Sequence, residues 1–403
     1  MKAEQARRYL ALALRLARRG YGTTSPNPMV GAVLVKGGRI IGRGWHRRAG
    51  EPHAEIEALR DAQRRGERVK GATLYVTLEP CSTQGRTPPC TEAIISAGVT
   101  RVVAGARDPN PRHRGAGFRI LERAGLAVTP GVMAEECARL NEAFNHWIVC
   151  RTPFVTVKAA MTLDGKIATA AGTSKWITGE KARARGMKLR QGADAILVGI
   201  NTVVADDPSL TLRGARSAVR IPGLRRIVLD AEARTPLQAR LVSDDRAALT
   251  TIVVSRLAPR RRVMALAKRV RVLVAPLART GSSRSSRGVR HPVLDLPWLL
   301  RRLGAENVTS LLVEGGGEVN ASFLLQGLAQ RIAFFYAPTV LGGGAARRAV
   351  AGEGAKRLDQ ILSLSEVKWQ RLGPDLLLTA RVGRSGHLVC QDGTPTMRIK
   401  KDS

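Results

Sequence analysis

The sequence predicts an α/β protein with two consecutive domains. Short β-branched and apolar segments alternate with amphipathic helical segments along most of the 403 residues, which is the pattern of sheets covered by helices. The chain is also longer than a single hydrophobic core usually serves. It breaks at Arg151-Thr152-Pro153, after a helical segment and before a new apolar strand. We therefore expect domains at residues 1–149 and 150–383, followed by a flexible tail at 384–403 that lacks apolar periodicity.

The first domain is predicted to be a three-layer sandwich with a mixed sheet. Its elements follow the order helix, hairpin, helix, strand, helix, strand, helix, strand, helix. The hairpin turn lies at Lys36-Gly37-Gly38-Arg39, between two apolar segments. The predicted strands are residues 30–35, 40–44, 73–78, 101–106 and 126–132, and the predicted helices lie near residues 4–19, 53–66, 90–98, 117–124 and 134–149.

The second domain is predicted to contain a doubly wound, largely parallel sheet, because its strands alternate with helical segments. The strand at 310–313 runs into Gly315-Gly316-Gly317 and then into a helix, so that bare backbone N–H groups can bind phosphate. A second glycine cluster lies at 342–344, and a tight turn is the alternative explanation for either cluster. The predicted strands are residues 154–160, 195–199, 227–230, 251–255, 270–274, 310–313 and 331–336.

A candidate metal site lies in the first domain. His53, Cys81 and Cys90 provide one imidazole and two thiols, which are the ligands that zinc prefers. A catalytic zinc leaves a fourth position to water, and Glu55 follows His53 closely enough to transfer protons there. His-x-Glu followed by Pro-Cys is typical of zinc-dependent nucleobase deaminases, although these usually have Cys-x-x-Cys and here eight residues separate the two cysteines. Buried small thiols and a surface histidine are the alternative for any one of these residues alone.

Asn27 is a candidate for recognising a substrate. It lies in the rigid loop Ser25-Pro26-Asn27-Pro28, immediately before a core strand, where a side-chain amide could contact a base edge. An asparagine that satisfies its own turn is the alternative.

Composition limits the function classes. No apolar run approaches the ~20 residues that a bilayer requires, and the N-terminus lacks the features of a secretory signal, so we expect a cytoplasmic protein without membrane partners. Five cysteines are too few for a disulfide framework.

The net charge of +34 raises the question of a polyanionic partner. The basic residues are spread along the chain without interleaved aromatic residues, so we expect only weak, nonspecific binding to nucleic acid. Phosphorylated substrates and cofactors would also be attracted by such a charge.

The motifs of both domains resemble the bifunctional deaminase/reductase family of riboflavin biosynthesis. The deaminase motifs are Ser25-Pro26-Asn27-Pro28-Met29-Val30-Gly31, Pro52-His53-Ala54-Glu55, Thr77-Leu78-Glu79-Pro80-Cys81-Ser82, Gly85-Arg86-Thr87-Pro88-Pro89-Cys90 and Asp108-Pro109-Asn110-Pro111. The reductase motifs include Leu163-Asp164-Gly165, Ser174-Lys175-Trp176-Ile177-Thr178, Leu189-Arg190, Asp194-Ala195-Ile196-Leu197-Val198-Gly199, Ala205-Asp206-Asp207-Pro208 and Glu314-Gly315-Gly316. The resemblance extends over roughly residues 5 to 375.

The resemblance implies two consecutive reactions. A cytidine-deaminase-like domain would remove the 2-amino group of a diaminopyrimidinone that carries a phosphoribosylamino arm. A dihydrofolate-reductase-like domain would then use NADPH to reduce the ribosyl group of the product to ribityl. Zinc and NADPH are therefore the expected cofactors, and a phosphorylated pyrimidine is the expected substrate. We also expect a homo-oligomer.

The resemblance also implies roles for individual residues. Zinc is assigned to His53, Cys81 and Cys90, and proton transfer to Glu55. We hypothesise that Lys158 either grips phosphate or assists opening of the sugar ring. The implied NADPH contacts are Ala160, Trp176, Thr202, Asp206, Gly316 and Gly317, and the implied substrate contacts are Ser174, Arg190, Leu210, Arg213 and Glu314, beside Asn27 in the first domain.

Two features leave alternatives open. Thr83-Gln84 stands where family members usually have histidine, which affects the grip on pyrimidine or phosphate rather than the metal. The high charge would also suit a deaminase that acts on bases in RNA, or a noncatalytic scaffold that binds RNA. The first alternative has no use for the reductase motifs, and the second does not explain an intact set of zinc ligands beside Glu55.

Overall fold

The computed structural model describes residues 3–83, 88–212, 223–284 and 290–383. They fall into two compact units, one ending at Arg151 and the other beginning at Thr152. The expected tail at 384–403 lies outside the described residues.

The first unit is built from the following strands and helices. Its strands are β1 (Gly31–Lys36), β2 (Arg39–Trp45), β3 (Thr73–Leu78), β4 (Arg101–Ala106) and β5 (Ala127–Thr129). Its helices are α1 (Ala3–Ala17), α2 (Ala54–Arg64), α3 (Cys90–Ser96), α4 (Ala116–Arg123), α5 (Ala134–Leu140) and α6 (Glu142–Cys150).

The strands of this unit form a mixed sheet in the order β2-β1-β3-β4-β5. β1 is antiparallel to β2 and β3, whereas β3, β4 and β5 run parallel. Alternate residues of β1 serve two cores, since Ala32 and Leu34 pack with α2, α3 and α4, and Val33 and Val35 pack with α1. The predicted three-layer sandwich with a mixed sheet is confirmed.

Close packing of α2 on β2 places the start of α2. A Cβ atom on Gly44 would lie 2.2 Å from the carbonyl oxygen of Ala54 and 2.4 Å from the backbone nitrogen of Ala58. Only glycine fits at this distance, so the helix lies directly against the strand. His53 and Glu55 belong to this end of α2.

The predicted single helix at 134–149 is wrong, because the chain breaks at Asn141 between α5 and α6. The buried side chain of Asn141 accepts a hydrogen bond from the backbone nitrogen of Met29 (2.8 Å) and donates one to its carbonyl oxygen (2.9 Å). This two-way contact replaces a backbone ladder and fixes the loop that precedes β1.

The second unit contains more strands than the sequence analysis predicted. Its strands are β6 (Phe154–Thr162), β7 (Lys166–Ala168), β8 (Ala195–Gly199), β9 (Arg225–Leu229), β10 (Thr250–Ser255), β11 (Arg271–Ala275), β12 (Leu277–Arg284), β13 (Arg290–Leu294), β14 (Ser310–Val313), β15 (Arg331–Ala337), β16 (Arg347–Arg348), β17 (Leu364–Leu372) and β18 (Asp375–Val382). Its helices are α7 (Glu180–Gln191), α8 (Ile200–Asp206), α9 (Arg240–Ser243), α10 (Arg260–Ala267), α11 (Leu296–Ala305) and α12 (Gly317–Leu325).

The main sheet of this unit has the order β11-β10-β9-β8-β14-β6-β15-β18-β17. The first seven strands in this sheet order, from β11 at the edge to β15, run parallel. The last two, β18 and β17, are added antiparallel at the other edge. Helices α11 and α12 pack against one face of the sheet, and helices α8, α9 and α10 pack against the other face. The predicted doubly wound, largely parallel sheet is confirmed. Because β17 is exposed along most of its length, it lacks the apolar run that would have predicted it.

None of the helices in the described residues combines the length and the apolar character that crossing a bilayer requires.

One carboxylate links three elements at the amino-terminal ends of the strands. Glu306, just after α11, accepts hydrogen bonds from Arg225 on β9, Arg271 on β11 and Arg302 on α11. The bonds from Arg271 and the other guanidinium groups outweigh partial burial and lower the pKa of Glu306 to about 2.

We predict that Glu306→Gln lowers the free energy of unfolding of the second unit by about 2 kcal/mol at neutral pH, because hydrogen bonds to charged groups contribute ~1.5–3 kcal/mol. A carboxylate with a lowered pKa stabilises the fold above its unfolded-state pKa of ~4.3, and this contribution is lost as the pH falls towards 2. Denaturant unfolding between pH 7 and pH 2.5 measures both effects. Glu353→Gln is the control, since that side chain is 88% exposed. Equal stability of the two variants at pH 7 would contradict the prediction.

Candidate active sites

The three predicted metal ligands lie together in the first unit. His53 is the residue before α2, Cys81 follows β3, and Cys90 begins α3. The Nδ1 atom of His53 lies 3.5 Å from the Sγ atom of Cys81 and 3.3 Å from that of Cys90. All three ligand atoms lie within 4.8 Å of one another.

These separations fit zinc. Zn–S bonds of ~2.3 Å and a Zn–N bond of ~2.0 Å in a tetrahedron place sulfur and nitrogen about 3.5 Å apart. The contacts of His53 with the two sulfur atoms therefore have the spacing of ligands to one ion. Three protein ligands leave one position of the tetrahedron for water.

The two thiols are strongly coupled. A hydrogen bond from Cys90 lowers the pKa of Cys81 to about 4, and the same contact together with burial raises the pKa of Cys90. The backbone nitrogen of Cys90 also donates to the Sγ atom of Cys81 (3.3 Å). Binding of zinc would displace the protons of the thiols, because the thiolate is the form that binds the metal.

Glu55 lies in the first turn of α2 and is only 3% exposed. Burial, with a smaller contribution from the Cys81 thiolate, raises the pKa of Glu55 to about 7. A carboxyl group with a pKa near neutrality can both accept and donate a proton, which is what proton transfer in a hydrolytic deamination needs.

His46 orients the predicted substrate residue Asn27. The Nδ1 atom of His46 lies 3.1 Å from the carbonyl oxygen of Pro52, which can only accept, so Nδ1 carries the proton. The Nε2 atom therefore accepts a hydrogen bond from the Nδ2 atom of Asn27 (3.1 Å). With the amide nitrogen of Asn27 directed at His46, its Oδ1 atom is directed away from His46. Burial lowers the pKa of His46, in agreement with a neutral ring.

The sequence analysis did not identify His46. Its ring packs edge to face on that of His53, with centroids 5.3 Å apart. An isolated histidine at the end of a strand carries no spacing signal, so only the fold reveals that it lies beside the metal ligands.

Glu79 fixes the loop that borders this site. Its buried carboxylate accepts backbone hydrogen bonds from Asp108, Gly115 and Gly117, each 3.0 Å long. This explains the glutamate of the Glu79-Pro80-Cys81 motif, because its carboxylate ties the chain before the first cysteine to the loop after β4 and to the first turn of α4. Thr83 is exposed, and Gln84 lies outside the described residues.

The second unit contains a cleft of about 1540 Å³. Every predicted cofactor and substrate residue of this unit lines the cleft except Arg213, which lies outside the described residues. The lining residues that were predicted are Lys158, Ala160, Ser174, Trp176, Arg190, Thr202, Asp206, Leu210, Glu314, Gly316 and Gly317. They come from β6, α7, α8, α12 and the loops between them.

A charged triad lies in the cleft. Arg190 donates two parallel hydrogen bonds of 2.8 Å to the carboxylate of Glu314, and the Nζ atom of Lys158 lies 3.5 Å from the same group. Burial alone would raise the pKa of Glu314, but Lys158 and Arg190 outweigh burial and lower it to about 2. The three side chains therefore carry a net positive charge, which suits an anionic ligand.

Three more contacts involve residues that line the cleft. The hydroxyl of Ser174 donates to the carboxylate of Asp206 (2.9 Å), and the Nζ atom of Lys175 donates to the carbonyl oxygen of Asp206 (3.4 Å). The guanidinium group of Arg183 stacks over the ring of Trp176 at 4.8 Å.

The glycine-rich turn suits the phosphates of a dinucleotide. Gly316 precedes α12 and Gly317 is its first residue. A Cβ atom on Gly316 would meet no atom within 4 Å, so the backbone of Gly316 is open to the cleft. A Cβ atom on Gly317 would lie 2.3 Å from the carbonyl oxygen of Arg348, so no side chain fits at that position. Unpaired N–H groups at the start of a helix bind phosphate. The residues therefore fit NADPH.

Comparison with known proteins matches both units. The model of the cytidine and deoxycytidylate deaminase zinc-binding region matches residues 3–106, and that of the RibD C-terminal domain matches residues 153–378. The riboflavin biosynthesis protein RibD of Aquifex aeolicus is 42% identical over 378 residues, covering 94% of this chain and 99% of the relative. That of Escherichia coli is 40% identical over 381 residues, with 92% and 97% covered.

Solved structures agree over the whole length. RibD of Acinetobacter baumannii superposes with a TM-score of 0.82 at 34% identity and covers 95% of this chain and 100% of its own. A diaminohydroxyphosphoribosylaminopyrimidine deaminase/5-amino-6-(5-phosphoribosylamino)uracil reductase of Thermotoga maritima gives a TM-score of 0.77 at 32% identity, with 94% and 99% covered. The predicted resemblance is confirmed, and the chain belongs to the RibD family of riboflavin biosynthesis proteins.

Proposed function

We propose that the chain catalyses two consecutive steps of riboflavin biosynthesis. The first is zinc-dependent hydrolytic deamination of 2,5-diamino-6-(phosphoribosylamino)pyrimidinone, and the second is NADPH-dependent reduction of the ribosyl group to ribityl. The observation that carries the proposal is the presence of a His-Cys-Cys cluster beside a buried glutamate in one unit and a cationic, glycine-bordered cleft in the other. We assign the deaminase to residues 1–149 and the reductase to residues 150–383.

In the deaminase, His53, Cys81 and Cys90 would hold the metal. Zinc, when bound, supplies an activated water at neutral pH. Glu55 accepts a proton from the water that adds to C2 and delivers a proton to the 2-amino group, so that the C–N bond breaks and ammonia leaves after the C–O bond has formed. Asn27, held by His46, orients the pyrimidine ring through its free amide oxygen.

In the reductase, bound NADPH would supply the hydride that reduces C1′ of the ribosyl group. Gly316 and Gly317 would hold its phosphates, and Ala160, Trp176, Thr202 and Asp206 would complete the cofactor side of the cleft. The substrate side consists of Ser174, Arg190, Leu210, Arg213 and Glu314. We assign Lys158 to protonation of the ring oxygen as the sugar opens, because its side chain extends from the middle of the central strand β6 and its ammonium group lies beside Glu314 in the cleft.

We propose that the enzyme is located in the cytoplasm, as expected from the sequence. We also propose that it binds RNA only weakly, because the basic residues are dispersed. A salt titration tests this, since binding through phosphates alone weakens steeply with salt, and selective binding near 0.15 M salt would favour the RNA deaminase instead. A reductase cleft has no use in an RNA deaminase, which favours the small-molecule substrate.

We further propose a homo-oligomer that forms through the edge strand β17. Trp369 is 58% exposed and Val367 is 49% exposed, beside exposed Leu364 and Leu376. An edge strand with apolar side chains and unpaired backbone groups is a ready surface for pairing with another chain.

Zinc dependence gives the first test. We predict that Cys90→Ser loses both bound zinc and ammonia release, whereas Glu55→Gln keeps about one zinc per chain and slows deamination by several orders of magnitude, because acid/base catalysis contributes ~10²- to 10⁴-fold and Glu55 serves more than one proton transfer. Metal analysis and ammonia release measure the two effects. Cys137→Ser is the control, since Cys137 is a free, buried thiol outside the cluster. Normal ammonia release from metal-free protein would refute the assignment.

Lys158 gives a test of the second step. We predict that Lys158→Met abolishes NADPH oxidation with the deaminated intermediate and leaves ammonia release unchanged, because the two sites lie in separate units. Proton transfer by Lys158 requires a loss of kcat. An increase in KM alone would instead assign Lys158 to the phosphate. The exposed Lys268, on another part of the unit, provides the control variant Lys268→Met.

The oligomer is tested with a charge on the edge strand. We predict that Trp369→Glu lowers the mass measured by light scattering, because a buried carboxylate without a partner opposes association. Leu257→Glu is the control, since Leu257 is equally exposed (65%) and lies elsewhere on the unit. An unchanged mass for Trp369→Glu would remove β17 from the interface.

A further inference from the structure

Arg226 is a fully buried cation outside the cleft. It lies on β9, and its side chain is 1% exposed. Its Nε atom donates to the hydroxyl oxygen of Thr250 (2.9 Å), and both terminal nitrogens donate to the carboxylate of Asp244 (2.6 and 2.8 Å). The same nitrogens donate to the carbonyl oxygens of Ser209 (3.1 Å) and Leu241 (3.2 Å).

Packing alone does not explain this arginine. Burying a guanidinium group is unfavourable unless it is fully paired, and an apolar side chain of similar volume fills a core at least as well. The fork of Arg226 instead joins four separate segments of chain, namely β9, the turn at Ser209, α9 with Asp244, and the start of β10. Of these, the turn at Ser209 lines the cleft.

That turn has a strained backbone. Asp207 and Leu210 both have left-handed conformations, with φ of 39° and 49°, which residues with a Cβ atom rarely adopt. Such residues persist only where surrounding contacts hold them. The side chain of Asp207 is held by the backbone nitrogen of Arg240 (2.8 Å), and the carbonyl oxygen of Ser209 is held by Arg226.

The turn also carries two proposed ligand contacts. Asp206 begins it, and Leu210 ends it; both line the cleft. We propose that Arg226 is a positioning residue of the reductase, which holds the segment 206–211 from behind so that Asp206 and Leu210 meet cofactor and substrate. This inference rests on the proposed reductase function. It predicts that loss of the bond to Ser209 weakens ligand binding more than it slows the hydride transfer itself.

Arg226→Lys is the decisive variant. A lysine keeps a positive charge for Asp244, but its three N–H donors cannot replace the five hydrogen bonds of the guanidinium group, so we expect the contact with Ser209 to be lost. We expect the KM for the deaminated intermediate to rise about tenfold, as the loss of one hydrogen bond predicts, with kcat changed less than about twofold. Amide hydrogen exchange of residues 206–211 should accelerate without ligand, while that of β8 stays unchanged.

Glu306→Gln is the matched control, because it removes charged bonds from the neighbouring Arg225 on the same strand, and none of its partners lines the cleft. An equal change in KM for both variants would reduce Arg226 to a purely structural role, and so would unchanged exchange at 206–211. If Arg226→Lys does not fold, Asp244→Asn removes the partner that orients the guanidinium group and is expected to show the same two effects. Hydrogen exchange does not depend on turnover, so it decides the inference even if the wild-type protein reduces no pyrimidine.

Discussion

Shared carboxylates hold the second unit together, because the chain has 66 basic residues and only 32 acidic ones. Glu306 accepts from three arginines, Asp244 pairs with a buried arginine, and Glu314 serves both Arg190 and Lys158. Glu306 and Glu314 are each outnumbered by the cations that pair with them. A guanidinium group can be buried at low cost only where such a partner exists, so these few acids determine which arginines enter the fold. Many of the other basic residues in the described ranges are exposed.

The first unit depends less on charge and more on backbone geometry. Its metal ligands come from a helix start, a strand end and a second helix start, which the sheet order β1-β3-β4 and the helices beside it bring to one place. Side chains such as Glu79 and Asn141 bind backbone groups of distant loops and take the place of secondary structure there. The site is therefore built from hydrogen-bonded loops on a rigid sheet, as is usual where catalysis requires fixed positions.

Much of this could be predicted from the sequence. Strands with continuous apolar residues, such as 73–78, 195–199 and 310–313, were located to the residue, since burial on both faces leaves a strong signal. The His-Cys-Cys cluster and the cleft residues came from spacing and from resemblance. The exposed strand β17 could not be predicted, because it lies at a solvated edge and has no apolar run. The break at Asn141 could not be predicted, because it depends on a contact with Met29, 112 residues away. His46 and Arg226 were missed because each is a single residue whose partners lie on other segments of the fold, which no local sequence pattern reveals.

The contact between β2 and α2 has a consequence for how this enzyme tolerates change. Gly44 has no catalytic group, yet any side chain there would place its Cβ atom 2.2 Å from the backbone of α2 and push the helix away from the strand. Because His53 and Glu55 both lie at the start of this helix, the thickness of one residue in a strand sets how far the imidazole and the carboxylate lie from the thiols of Cys81 and Cys90. Selection for activity would therefore retain glycine at this position as strictly as it retains the ligands. In a genetic screen for loss of activity, Gly44 would be found together with the residues of the site, although it takes no part in the reaction.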